Sequence, residues 1–247
     1  MMNNTNSVYV AWQEPDTRAW HVVGNLQERK SGYVFKYTKG ALSSPKFTKF
    51  SGMKDVSETY ISEELFPLFK NRLLSPRRPE YPRFMSWLGF EDEKANPIDI
   101  LARTGGMRST DNLQIFKKIE LEEDGSFEHS FFLHGLGYLT DSANVRVSQL
   151  KPGEKLKLCL DLQNDFDSEA VVVMANQPAE VVGYCPRYFA KLIKNLLLND
   201  SQSVALAVEK ISNDAPHNYR LLCKIRGHVS ISQKEIFSLH NEFDVID

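Results

Sequence analysis

Cysteine is scarce in this 247-residue chain: Cys159, Cys185 and Cys223 are widely spaced and odd in number. No CxxC pair and no Cys/His cluster occurs, which argues against structural zinc and against the disulfide framework of a small secreted domain. The six histidines (His21, His129, His134, His217, His228 and His240) show neither HExxH nor HxH spacing. No G-x-x-x-x-G-K-[ST] loop and no G-x-S-x-G elbow is present, so neither a P-loop motor nor a nucleophile-elbow hydrolase is supported. The acids Glu122, Glu123 and Asp124 are adjacent in a turn and read as solvated charge, not as a nuclease pair. Charge of one sign is not in excess: 30 basic against 32 acidic residues leave −2. No global basic field therefore draws the chain to nucleic acid or anionic lipid, and any polyanion site must be a local patch. Long hydrophobic runs are missing too, because the stretches within 169–174 and 192–198 are too short to span a bilayer. The polar start, MMNNTNSVYV, has no apolar signal-peptide core. These absences together point to a non-enzymatic protein of a reducing cytoplasm, with no cofactor, no metal and no membrane partner.

What is present is ordinary globular composition, 42 % hydrophobic and 25 % charged, with a length that allows one or two domains. The first half reads as α+β. Ser7 to Trp12 and Trp20 to Leu26 are β-like, and Tyr33, Phe35 and Tyr37 alternate with polar residues as one aromatic strand face. Gly40 to Phe50 reads as a Ser/Lys-rich loop. Ser62 is a candidate cap for a helix over 63–74, with Pro67 tolerated only in a first turn. Residues 70–83 hold Lys70, Arg72, Arg77, Arg78 and Arg83 against Glu80 alone, and three prolines there predict an extended basic loop. Asn96-Pro97 opens a short helix to Arg103, stopped by Gly105-Gly106. Asp111 to Leu121 reads as strand, and the acidic turn 122–125 marks a boundary.

The second half reads as short strands with one good helix. Strands are expected over Ser130 to Leu139, Lys155 to Leu160, Ala170 to Met174, Glu180 to Tyr184, Ser203 to Ile211 and Tyr219 to His228. After Pro186, the residues Phe189, Leu192, Ile193, Leu196 and Leu197 follow helical spacing. Several strands and one helix predict a small barrel. Ser232 and Glu235 form a capping-box pattern ahead of Ile236 and Leu239, which predicts a short helix in a tail over 230–247.

An ordered set of pieces then carries a family resemblance. Gly135-Leu136-Gly137-Tyr138 places an aromatic after a first-strand glycine, and Leu150-Lys151-Pro152-Gly153-Glu154 forms a turn. An acidic-asparagine loop follows at Asp161-Leu162-Gln163-Asn164-Asp165-Phe166-Asp167, running into Ser168-Glu169-Ala170-Val171. Gly183-Tyr184-Cys185-Pro186-Arg187 leads into the helix. The stretch over 126–229 resembles the HIRAN domain. That resemblance implies an OB-like β-barrel that binds DNA, in a eukaryotic helicase-like relative at a free 3′-hydroxyl end of a single strand, and in bacteria also without a motor. Two departures stand out: Gly137 replaces a frequent arginine, and Leu139 replaces a second aromatic.

The first half, over 1–121, resembles the N-terminal subdomain of HipA-type kinases through Val23-Gly24-Asn25-Leu26, Tyr33-x-Phe35-x-Tyr37 and the run from Ser62 to Leu73. No kinase catalytic loop accompanies it, so the resemblance implies a docking or regulatory unit, a small mixed sheet with helix. Residues 98–106 resemble the linker that joins two such modules. The pair implies a bacterial protein whose partners are single-stranded DNA or DNA ends, a repair enzyme or a HipA-like kinase.

A single-strand reader needs flat faces for bases and cations for phosphates. Tyr138, Phe166 and Tyr184 supply candidate faces, with burial in the core as the alternative. Arg187, Lys191 and Lys194 recur at i, i+4 and i+7 on one helix and suit phosphate, with a solvated helix face as the alternative. Arg187 also sits at the positive helix end, where a phosphate is favoured. Asn164 and Asp167 offer an amide and a carboxylate, either for a terminal 3′-hydroxyl or for an Asx-turn within the loop. Gln163 stands where relatives have a second asparagine. The segment from His129 to Arg226 holds 11 basic and 10 acidic residues, which predicts a shallow salt dependence of DNA binding. Arg72, Arg77, Arg78 and Arg83 form a candidate accessory basic patch. The competing reading is a protein-interaction regulator, such as a kinase partner in a toxin–antitoxin-type system.

Overall fold

The computed structural model describes residues 6–90, 95–230, 237 and 241–246. The chain divides into two units, one drawn from residues up to Ser86, Phe90–Lys118 and the C-terminal end, the other from Trp87–Gly89 and Ile119–Leu239. The architecture is α+β, with two antiparallel sheets and few helices.

The first unit is built on strands β1 (Ser7–Gln13), β2 (Trp20–Arg29), β3 (Gly32–Tyr37), β4 (Tyr60–Ser62) and β5 (Leu113–Phe116). Their order is β4-β3-β2-β1-β5, and every pairing is antiparallel, so this sheet is not mixed in direction. The aromatic alternation of β3 drives Phe35 and Tyr37 wholly inside, where they meet Val8, Leu26, Phe69, Ile98 and Leu101. Burying each such apolar side chain contributes about 1.5–3 kcal/mol. The Tyr37 hydroxyl donates to the Met53 carbonyl at 2.7 Å and accepts from the Phe50 amide at 2.8 Å, which satisfies its polar end. Burial pushes that phenol up to about 12.

Helix α3 (Pro97–Thr104) follows its sequence signals: the Asn96 side chain accepts from the Ile98 amide at 2.8 Å, and the helix ends at Gly105. Other expectations change. The helix expected after Ser62 shrinks to α1 (Pro67–Lys70), because Ser62 closes β4 and Pro67 takes the first helical position. The Ser62 hydroxyl donates to the Glu64 carbonyl at 2.6 Å and caps nothing. The loop expected over 40–50 includes part of a 3-10 helix, Lys39–Leu42. The basic segment 70–83 is not extended throughout, since it runs from the end of α1 into α2 (Tyr81–Trp87), with Pro82 in the first turn. β5 stops at Phe116, short of Leu121. At the C-terminus, Asn241–Phe243 form a 3-10 turn and Val245 bridges Thr38. The Ser232–Glu235 capping pattern lies outside the described residues.

The second unit holds six strands: β6 (Ser126–Phe132), β7 (Lys155–Leu160), β8 (Val171–Ala175), β9 (Glu180–Tyr184), β10 (Val204–Ile211) and β11 (Leu221–His228). Their order is β6-β11-β10-β7-β8-β9, again antiparallel. Beyond the end of β6, His134 forms an isolated bridge to Tyr184 of β9, the two exchanging both backbone bonds at 2.9 Å. Gly183 permits that approach: a Cβ there would lie 2.9 Å from the His134 carbonyl oxygen. Helix α4 (Asp141–Ser148), capped by Thr140, was not expected from the sequence. Helix α5 (Arg187–Asn199) buries Phe189, Ala190, Ile193 and Leu196, and Phe189 meets His129 edge-on at 4.7 Å. The strand expected to run to Leu139 ends at Phe132, and Leu136–Tyr138 form a 3-10 turn instead.

Candidate nucleic-acid interface

The segment 161–169 joins β7 to β8 and closes on itself. Asp161 N–H donates to the Ala170 carbonyl, and Ala170 N–H donates to the Asp167 carbonyl, each at 3.0 Å. Asn164 Oδ1 accepts from the amides of Phe166 and Asp167, each at 3.0 Å. Asp167 Oδ1 accepts from the Glu169 amide at 3.0 Å. The Asx-turn alternative is therefore the observed use of both Asn164 and Asp167. With Asn164 and Asp167 bonded to the loop's own backbone, the loop leaves Phe166 85 % and Leu162 76 % exposed. Gln163 is exposed as well.

The turn Leu136–Tyr138 begins at Gly135, whose φ of +80° favours glycine. It presents Tyr138 at 96 % exposure, so this ring is not a core residue. Tyr184, half-buried on β9, lies against Gly135: a Cβ there would come within 3.2 Å of the ring. The Tyr184 hydroxyl donates to Asp161 Oδ2 at 3.2 Å. Burial, reinforced by the Asp161 carboxylate, raises this phenol above the ordinary tyrosine value. Tyr184 thus ties the turn carrying Tyr138 to the loop carrying Phe166, and its own face is only partly open.

The cations of α5 are engaged with the same loop. Arg187 Nε donates to Asp167 Oδ2 at 2.8 Å, and the guanidinium also donates to the Phe166 carbonyl. Lys194 Nζ pairs with Glu169 Oε2 at 3.0 Å and donates to the Ser168 carbonyl at 3.0 Å. Lys191 is exposed between them. The candidate accessory patch does not hold together as four open cations. Arg72 is almost wholly buried, pairing with Asp111 and donating to the Gly106 carbonyl at 2.7 Å. Arg78 pairs with Glu80 at 3.3 Å, while Arg77 and Arg83 are exposed. All four belong to the first unit.

Three residues at the second unit's site escaped the sequence reading. Leu162 is an apolar residue in an otherwise polar loop, a signal legible in advance. Asp161 holds Tyr184 and Asn164, which no spacing rule reveals. His217 is exposed, and its ring lies 3.8 Å from where a Cβ on Gly137 would sit. Among the described residues, no group of His, Cys, Asp and Glu is arranged to hold a metal ion, and no helix is long and apolar enough to cross a membrane.

Residues 126–230 match the family model of the HIRAN domain. The match covers the six-stranded unit with α4 and α5, and so the loop, the turn and the helix described above. Among solved structures, the HIRAN domain of human HLTF is similar at 18 % identity, covering 49 % of this chain and 92 % of that one, with a TM-score of 0.36. A protein from Lactobacillus plantarum is similar at 19 % identity, covering 42 % of this chain and all of the other, with a TM-score of 0.32. No curated protein matches.

Proposed function

We propose that the HIRAN unit is a non-enzymatic module that binds single-stranded DNA, at or near a 3′ end. The family is known for DNA binding. The carrying observation is the pair of exposed rings, Tyr138 and Phe166, on two segments that Tyr184 and Asp161 tie together. A base stacked on an exposed aromatic ring contributes about 1–3 kcal/mol. Lys191 is the exposed cation of α5 for the backbone, with Gln163, exposed on the same loop as Phe166, as a polar contact. In this reading the protein acts in the cytoplasm of a bacterium, alongside a repair enzyme.

The test is a fluorescence-anisotropy titration with single strands ending in 3′-hydroxyl or 3′-phosphate and with a blunt duplex. Tighter binding of the 3′-hydroxyl strand supports end recognition. Equal and weak binding to all three removes it.

A second reading is favoured by the ion pairs of Arg187 with Asp167 and Lys194 with Glu169, which neutralise two of the three cations of α5. In that reading the exposed rings meet a protein, and the first unit, HipA-like in its sequence motifs, docks a kinase in a toxin–antitoxin-type system. Co-purification of a kinase together with undetectable DNA affinity would support it. DNA affinity lost on Tyr138→Ala, in a protein without partner, would remove it.

A further inference from the structure

We infer that Asp161 is the positioning residue of this interface, setting how Phe166 is presented and anchoring Tyr184 without itself touching the ligand. The inference rests on the reading of this loop as a nucleic-acid platform. Asp161 is the junction of two chains of contacts. Through Oδ2 it accepts from the Tyr184 hydroxyl at 3.2 Å, and Tyr184 packs on Gly135 at the root of the turn bearing Tyr138. The same oxygen accepts from Asn164 Nδ2 at 2.9 Å. Asn164 Oδ1 in turn holds the amides of Phe166 and Asp167.

The chemistry of the side chains makes this arrangement directional. A side-chain amide has an accepting oxygen on one side and a donating –NH2 on the other, so Asn164 pins Phe166 only when its oxygen faces the loop amides. A carboxylate is acceptor-only and accepts only the –NH2 of Asn164, which selects that orientation. An amide at 161 would serve either orientation and lose the selection. The backbone of Asp161 is fixed independently by its bonds to Ala170 and Asn164, so the carboxylate is aimed by the end of β7. Both exposed rings are thereby referred to one part-buried junction, and base stacking needs rings held in place before the ligand arrives.

The test uses the full chain, with wild type, Asp161→Ala, Asp161→Asn, Phe166→Ala and the double variant Asp161→Ala/Phe166→Ala. Binding of a 3′-hydroxyl single strand is read by fluorescence anisotropy. Asp161→Ala should weaken binding about fivefold in the wild-type background and less than about twofold once Phe166 is gone, the signature of a residue acting through another. Equal losses in both backgrounds overturn the inference. Tyr ring 13C resonances, with Tyr184 assigned from Tyr184→Phe, give a readout that needs no DNA. Removing the carboxylate should bring the Tyr184 ionisation back towards the ordinary tyrosine range, and an unmoved titration also overturns the inference. Asp161→Asn keeps the shape of the site should the alanine variant fail to fold, and it should show the same pattern with smaller losses. Wild type that binds no oligonucleotide overturns the platform reading and this inference together, whereas wild-type binding unchanged by either Asp161 variant overturns this inference alone.

Discussion

Arg187 and Asp167 form an ion pair, Nε to Oδ2 at 2.8 Å, while the same guanidinium donates to the carbonyl of Phe166. The first cation of α5 therefore braces the loop that carries the exposed ring. Its positive charge is compensated within the protein before any phosphate arrives.

This distinction sets the expected salt dependence. Each phosphate neutralised on a single strand contributes about −0.7 to the slope of log affinity against log salt. Lys191→Ala should flatten that slope by about 0.7, as loss of an open phosphate contact does. Arg187→Ala should weaken binding about tenfold, as loss of a charged hydrogen bond does, with the slope nearly unchanged. Anisotropy titrations across a potassium chloride series check both, and a slope flattened equally by Arg187→Ala would show that Arg187 reaches phosphate after all.

Tyr138→Ala and Phe166→Ala should each weaken single-strand binding by about 5–150-fold, the equivalent of losing about 1–3 kcal/mol of stacking. Thermal midpoints should stay within about 2 °C of wild type, because both rings are exposed and their removal opens no cavity. A large fall in midpoint with either variant would mean that the ring is structural.

In the first unit, Arg72→Ala should destabilise strongly. The Arg72 side chain is 2 % exposed and Asp111 is 31 % exposed, so removing the guanidinium leaves a partly shielded carboxylate without its cation and takes a donor from the Gly106 carbonyl. A loss of about 2–3 kcal/mol in urea unfolding is expected, below the range for a fully buried pair because water reaches Asp111. DNA affinity measured well below the midpoint should not change.

His134 gives an acid dependence of stability. Packing pulls its imidazole from 6.5 down to about 4 in the folded state. Between those values the unfolded chain binds the proton and the folded one does not, so stability is full above about pH 6.5, falls as pH drops towards 4, and levels off below. The shift corresponds to about 3 kcal/mol. His134→Gln leaves the backbone bridge to Tyr184 possible and should remove this acid dependence, as followed by urea midpoints from pH 7 to 4.

Local signals were readable wherever the physics is local. The Asn96-Pro97 start of α3, the apolar spacing of α5 and the alternation of β7 all appear where the residues place them. Misreadings occurred where a local pattern was overruled. The run after Ser62 carries helix formers, yet Pro67 delays the start and the strand pairing of β3 with β4 claims Ser62. The apolar stretch after Phe132 continues a strand pattern, yet Gly135 turns it away into the segment bearing Tyr138. Helix α4 has little apolar periodicity, and its Thr140 cap was its one clear signal.

The order of motifs by itself carried the resemblance of residues 126–230 to the HIRAN domain, whose family model matches them, and picked out the candidate rings and cations, because a sequence preserves which residue types stand at which spacing. Only the tertiary structure decided which of them face solvent and which are already partnered. Burial and pairing depend on contacts across the chain: Tyr184 with Asp161, Arg187 with Asp167 and Arg72 with Asp111 lie 20 or more positions apart. No rule of spacing reaches that far, so Arg72 and Arg187 read alike in sequence while one is held in a shielded ion pair and the other braces a loop.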